Sequence, residues 1–332
     1  MRIAIVLTVK NEERLLRNNL LYHKMIGVEK VYVYFDGTTD NGKESIQDLE
    51  SVEIKNSVAT KDFKHFPFLE NFTNQAEEHH TGRQCLNTFD ASLKAEKEGY
   101  EWLISLDADE LVVTGENEIP DLRTFFEKIS PEFNAVRFTV REVLQAKKYY
   151  QNVFAEEIRF KTKRHFKKYY QNIFKKIYNP NSGKYEKYLY WYGHHAGKMA
   201  IRLNRGLIPL NVHRFTDQLG AKPKTDIKGM LLHYHSFDAT DFVKKYENFS
   251  SHPVTYLSGR KVEKLKLLLI AVVNKSGMTS LELEDYFERN LMFKEKEILK
   301  LWKNRVWFFF KRETPVLTEI AAVKKTFKEI LR

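Results

Sequence analysis

Residues 2–9, RIAIVLTV, are apolar at almost every position. A strand with that pattern has no face to offer water and must sit inside a sheet covered on both sides. The next stretch, NEERLLRNNLLYHKMIG, brings Leu15, Leu16, Leu20 and Met25 to helical spacing and ends at Gly27, a residue suited to the left-handed turn past a helix end. KVYVYFD then predicts a second strand, closed by the turn-forming DGTTDNG. Strand, helix and strand in this order predict a right-handed crossover with the two strands as parallel neighbours. The alternation continues with a short strand at Val52–Lys55, a helix over Arg83–Glu98, and a further strand inside YEWLISLDADEL. The helix is expected to place Leu86, Phe89 and Leu93 on one face, with Gly99 just past its end. The expected fold class is therefore α/β, with a mostly parallel, Rossmann-like central sheet and flanking helices. Ligands of such sheets bind beyond the carboxyl ends of the strands, and Lys10, Asp36 and Asp107 all stand at such ends.

The 332 residues suffice for a large buried core. After MLLHYHSF the strand signal fades, and apolar residues recur at helical spacing in VEKLKLLLIAVV and around Leu291–Trp302. The expected organisation is an α/β domain over 1–240 followed by a helical C-terminal extension over 241–332. Within the first, 1–115 carries the strand ends suited to a nucleotide, and 116–240 carries a basic, tyrosine-rich insertion. There KKYYQNVF at 147–154 is echoed by KKYYQNIF at 167–174, read as a paired hairpin or loop elaboration. Charge is unevenly spread: residues 1–140 hold 16 Lys and Arg against 25 Asp and Glu, whereas residues 141–198 hold 14 against 4. That asymmetry predicts a cation site in the front lobe and an anionic partner near the middle. The single cysteine, Cys85, excludes an internal disulfide framework and is expected to be buried in its helix. With no leader-like segment and no apolar run near the roughly 20 residues of a membrane span, the expected location is cytoplasmic. The aromatic and basic KLWKNRVWFFFKRE, with Trp302 and Trp307, is a candidate for peripheral contact with the inner face of the membrane.

The chemistry centres on WLISLDADEL, where Asp107, Asp109 and Glu110 follow a buried strand. Clustered carboxylates repel one another more strongly as water is excluded, and a divalent cation removes that penalty. Mg²⁺ or Mn²⁺ held by one or two carboxylates fills its remaining positions with phosphate oxygens and water. In LLHYHSF, His233 and His235 lie two apart and face one side if the segment is extended, so either can supply a third ligand. Lys10 and Asn11 follow the first strand, and Asp36 ends the second, where an acidic side chain can accept from a ribose hydroxyl.

These motifs, in order IVLTVKNEERLLRNNLLYHKMIGVEKVYVYFDGTTDN, GRQCLNTFDASL, WLISLDADEL, GKMAIR and LLHYHSFDATDFVKK, resemble the GT-A glycosyltransferases of the family 2-like and family 92-like group. The resemblance runs over residues 1–250 and is most specific in the first 115. It implies a metal-dependent hexosyltransferase type of enzyme. A sugar nucleotide, a UDP-sugar, would be the donor; Mn²⁺ or Mg²⁺ would bridge its diphosphate; and a glycan or lipid-linked acceptor would receive the sugar with inversion, in cell-surface polysaccharide synthesis. It implies donor-nucleotide binding by Lys10, Asn11, Glu12, Asp36, Arg83, Gln84, Asp107 and Lys198, and metal ligation by Asp107, Asp109 and His233. Related chains carry a W-x-x-F-G stretch after the next core strand, where this one has VRFTVREVLQAKKYY, so the acceptor side is less defined. Inverting transfer needs a general base near the acceptor hydroxyl. Glu142, just beyond the strand AVRFTV, is the expected residue, with Glu156 and Glu157 behind it.

Two other classes compete. Basic residues interleaved with aromatics suit single-stranded nucleic acid, but the acidic front lobe and the lack of a binding module argue against a nucleic-acid partner. A sugar nucleotidyltransferase on a related fold would lead with a glycine-rich phosphate loop after the first strand, and TVKNEER has no glycine.

Overall fold

The computed structural model describes residues 1–162, 196–262, 264–303 and 315–332. The first apolar run is β1 (Ile3–Val9), and the helix after it is α1 (Glu13–Met25). Next come β2 (Lys30–Phe35), β3 (Val52–Asn56), the short α2 (Glu70–Gln75) and α3 (His80–Lys97). β4 (Trp102–Leu106), β5 (Glu110–Val113), α4 (Leu122–Glu127), β6 (Ala135–Val143), the one-turn α5 (Val153–Glu156) and β7 (Arg159–Lys161) follow. Beyond residue 195 lie β8 (Met199–Arg202), the pair β9 (Ile208–Asn211) and β10 (Arg214–Thr216), and the long β11 (Thr225–His233). The chain closes with α6 (Ala239–Asn248), α7 (Lys264–Lys275), α8 (Ser280–Asn290), α9 (Glu295–Trp302), β12 (Leu317–Glu319) and α10 (Ala322–Ile330).

β1 pairs in parallel with β2 on one side and with β4 on the other, and β3 extends the parallel group beyond β2. Burial follows the alternation expected of an inner strand. Ile3, Ile5, Leu7 and Val9 pack with Leu15, Leu16 and Leu20 of α1, while Ala4 and Val6 pack with Ala91 and Ala95 of α3. α3 starts at His80, three residues before the expected Arg83, and Gly99 takes a φ of +78° past its end. Leu93, expected on the buried face with Leu86 and Phe89, is 46% exposed. It stands on the same face one turn past Phe89, beyond the cluster that Leu86 and Phe89 form with Phe63, Leu69 and Phe72. Cys85 is buried, as expected.

Past β4 the sheet becomes mixed and curls. β8 pairs antiparallel with both β4 and the start of β6, β11 runs parallel along the other edge of β6, and β5 closes antiparallel on β11. The curl returns β5 to α1, where Tyr22 donates from Oη to the carbonyl of Val112 at 2.9 Å. The end of the chain is helical but not detached. β12 adds antiparallel to β7, and Phe327 of α10 stacks on Tyr22 with ring centroids 6.0 Å apart. Glu142 lies inside β6, not beyond it, because the strand runs three residues past the apolar AVRFTV. The first copy of the KKYYQN echo is a loop entering α5, with Tyr150 buried. The second copy, at 167–174, and the aromatic stretch from Trp307 lie outside the described residues. Among the described residues no helix is long and apolar enough to cross a membrane.

Gly197 shows why the backbone before β8 has no side chain. Its φ is +68°, and a Cβ there would meet the carbonyl oxygen of Phe138 on β6. Gly197→Ala is expected to cost about 2–4 kcal/mol, combining left-handed strain with overpacking against a fixed strand. Urea unfolding measures this, and a loss below about 0.5 kcal/mol, the size of an ordinary surface change, would show that the β6–β8 approach is loose.

Candidate active site at the carboxyl edge of the sheet

The acidic motif forms the turn between β4 and β5, and its shape is set by its own residues and by α1. Glu110 Oε2 accepts from the backbone N–H of Asp107 at 2.9 Å. Asn19, fully buried on α1, donates from Nδ2 to the carbonyls of Ala108 at 3.0 Å and Glu110 at 2.8 Å. The turn is thus held from beneath, and Asp107 and Asp109 project from it.

Each of the two carboxylates meets a lysine from a distant part of the chain. Lys198, with no exposed surface, donates from Nζ to Asp107 Oδ1 at 2.9 Å and stands 3.9 Å from Glu110 Oε2. Gln84 of α3 donates to the same Asp107 oxygen at 2.6 Å. Lys245 of α6 donates to Asp109 Oδ2, which also lies 3.4 Å from His233 Nε2. Burial alone would raise both carboxyl pKa values. At Asp107 the ammonium of Lys198 outweighs burial and lowers the pKa. At Asp109, Lys245 and His233 hold it well below the usual range. At Glu110 burial outweighs the attraction of Lys198 and pushes the pKa up to about 8, and its Oε1 has no hydrogen-bond partner among the described residues.

β11 supplies the imidazoles. Its register sets His233 opposite Glu110 on β5 and opposite Glu142 on β6. His233 Nδ1 lies 3.3 Å from Glu142 Oε1, so the ring is bracketed by Glu142 and Asp109. Burial opposes its charge, yet these two carboxylates raise its pKa to about 10. Past the strand end, the N–H of Tyr234 donates to the carbonyl of Asp109 at 2.8 Å, and His235 follows with its ring 5.3 Å from that of His233. Burial and the charge of Lys245 push the pKa of His235 well below its usual value. One potential ligand atom from each of Asp109, His233 and His235 lies within 4.8 Å of the others. Two imidazoles and a carboxylate form a donor set suited to Mn²⁺, and the Glu142–His233 contact is the outer carboxylate that metal-bound histidines commonly carry.

The outer residues line the same edge. Arg83 grips Asp36 with a two-pronged contact at 2.6 and 2.9 Å, and Ser57 donates to Asp36 at 3.1 Å. Asn11, with φ of +55°, accepts from the N–H of Thr39 at 2.8 Å and donates to Asn248 of α6 at 3.3 Å. Glu12 accepts from Lys244 at 2.8 Å, and burial raises its pKa to about 7. Lys10 follows β1, and its ammonium makes no ion pair among the described residues. Glu156 and Glu157 are not brought here. Glu156 is spent on Lys147 and on the N–H groups of Gln151 and Asn152, and Glu157 on Arg159 and Tyr150. Lys198, expected at the donor nucleotide, is buried with its ammonium on Asp107. Sequence reasoning missed Lys244, Lys245 and Asn248. Their signal was the Asp238 N-cap three residues after His235, which starts a helix that must run back across the site.

Glu110 makes the turn pH-sensitive. Its pKa is raised on folding, so the native state retains a proton that the unfolded chain releases, and stability falls as pH rises from about 4.5 to about 8. Glu110→Gln in chelator should flatten this slope in urea titrations at pH 5 and pH 8; an unaltered slope would mean that Glu110 ionises at its ordinary pKa.

Residues 8–266 match the profile of glycosyltransferase family 92. A glycosyltransferase-like protein of Arabidopsis thaliana is 25% identical over 302 residues, which cover 86% of this chain and 65% of that relative's length. Among solved structures, S. aureus TarS residues 1–349 is 11% identical, covers 87% of this chain and 73% of its own, and gives a TM-score of 0.34. The glucosyl-3-phosphoglycerate synthase from Mycobacterium tuberculosis, in complex with Mn²⁺, UDP and phosphoglyceric acid, is 10% identical with coverages of 76% and 79% and a TM-score of 0.34. A structural likeness that loose speaks to neither site nor substrate.

Proposed function

This chain belongs to glycosyltransferase family 92, and on that premise we propose that it moves a sugar from a nucleotide-sugar donor, a UDP-sugar, to a hydroxyl of a glycan or lipid-linked acceptor. The observation that carries the reading is the convergence of Asp109, His233 and His235 at the carboxyl edge of the sheet, beside Asp107 and in line with Asp36. The donor's ribose is assigned to the Asp36–Arg83 end and its diphosphate to the Asp107–Asp109 end. Asp109 and His233, with His235 and Asp107 beside them, would hold Mn²⁺ or Mg²⁺, which when bound would offset the charge that builds on the leaving diphosphate. Lys245 and Lys198 keep both carboxylates ionised and oriented. Gln84 fixes the rotamer of Asp107.

Glu142, read from the sequence as the general base, has the geometry of a positioning residue: its carboxylate is buried against His233 Nδ1 and holds that ring toward Asp109. Transfer is taken as inverting. The excess of basic residues over 141–198 supports an anionic acceptor, in keeping with assembly of a cell-surface polysaccharide on the cytoplasmic side of a membrane.

Asp109→Asn keeps size but loses charge, so transfer should fall on the order of a hundredfold or more, matching chelation of the wild type. Transfer retained in chelator would remove the metal from this reading. Glu142→Gln should weaken Mn²⁺ binding about tenfold to a hundredfold by calorimetry, with metal-free UDP binding unchanged. Intact metal affinity with lost turnover would return Glu142 to the role of base.

A further inference from the structure

Against the donor edge stands a second cluster that the metal site does not use. His80 opens α3, and the ring of His252 lies on it in a near-parallel stack, with centroids 4.1 Å apart and planes at 16°. His80 is four residues before Gln84, so helical spacing puts it on the side of α3 that meets Asp107. His252 follows Phe249, whose ring is 5.2 Å away, and the ammonium of Lys266 stands 3.5 Å above that ring. The segment is tied to the end of β1, because Asn248 donates to the carbonyl of Lys10 at 3.5 Å and meets Asn11 at 3.3 Å.

Resting on the donor reading above, we propose that His80 and His252, with Lys10 and Lys266, form a cradle that grips the diphosphate of the nucleotide donor beside the metal ligands. The place is right, since α3 carries His80 about one turn from both Arg83, which holds Asp36 at the end assigned to ribose, and Gln84, which holds Asp107. The charge is also right. The charged groups that act on the two rings are Lys10, Arg83 and Lys266 and, as the one acid, Asp107, which Lys198 and Gln84 already engage. Burial together with these cations keeps both imidazoles neutral, at about 4 for His80 and about 3 for His252. A neutral imidazole still offers an N–H, so the pair can donate to phosphate oxygens while the two lysines supply charge. The first turn of α3 carries no acidic residue, which leaves its positive end unopposed beside them.

The test is calorimetric binding of UDP, uridine and inorganic pyrophosphate in chelator, with thermal unfolding to verify that each variant is folded. His252→Phe keeps a flat ring on His80 but removes its N–H, and Lys266→Met removes a charge from the outer rim. Each should weaken UDP and pyrophosphate about tenfold or more, as loss of a charge-assisted contact does, while uridine binds as to the wild type. Unchanged UDP affinity in both folded variants, or an equal loss of uridine, would overturn the cradle. Wild type that binds pyrophosphate through His252 but no nucleoside diphosphate, with or without Mn²⁺, would leave an anion site and overturn its assignment to a donor.

Discussion

The pairing of the two aspartates with Lys198 and Lys245 is the interaction on which the rest of this structure depends. Two ionised carboxylates on one tight turn, one of them buried, would repel each other through a medium that screens poorly. Here each has its own ammonium, delivered from a segment remote in sequence: Lys198 from the approach to β8, Lys245 from α6. Ion pairs this buried are weak evidence of stability, because desolvation offsets much of the attraction, but losing one partner strands a charge. Their effect is to tie two remote segments to one turn.

That tie explains the curl of the sheet. β5 follows the turn directly yet pairs with β11, so β11 must come to the turn, and the register His233↔Glu110 brings the imidazole beside Asp109. A slip of one residue would point His233 to the opposite face and remove it from both Asp109 and Glu142. α6 is anchored as firmly at its start. Asp238, fully buried, caps it and takes a two-pronged contact from Arg14 of α1 at 3.1 and 2.8 Å. With its first turn locked to α1, the helix presents Lys244, Lys245 and Asn248 to Glu12, Asp109 and Asn11. The residues after 240 therefore take part in the edge that the first 240 build.

Much of the fold was legible because the first third obeys local rules. Apolar continuity marks β1 as an inner strand, and periodicity with Gly27 marks α1. The strand that ends in Asp107 can be read in the same way. Glu142 was placed beyond the strand because the apolar run stops at Val140, whereas pairing with β11 and β7 carries β6 on to Val143. Leu93 shares the face of Leu86 and Phe89 as its spacing says, but the cluster that covers those two ends before it, and helical spacing does not say how far a partner extends.

At the site, the sequence by itself determined the kinds of groups: clustered acids after a buried strand, two histidines spaced for one face, and polar residues at strand ends. Those choices follow from local periodicity and from the cost of crowding like charges, which any chain must meet. Only the tertiary structure decided who answers whom. That Lys198 meets Asp107, that Lys245 meets Asp109, and that His252 lies on His80 rest on contacts across 91, 136 and 172 positions of chain. Sequence spacing carries no record of such contacts, because they are set by where the sheet curls and where α6 is pinned.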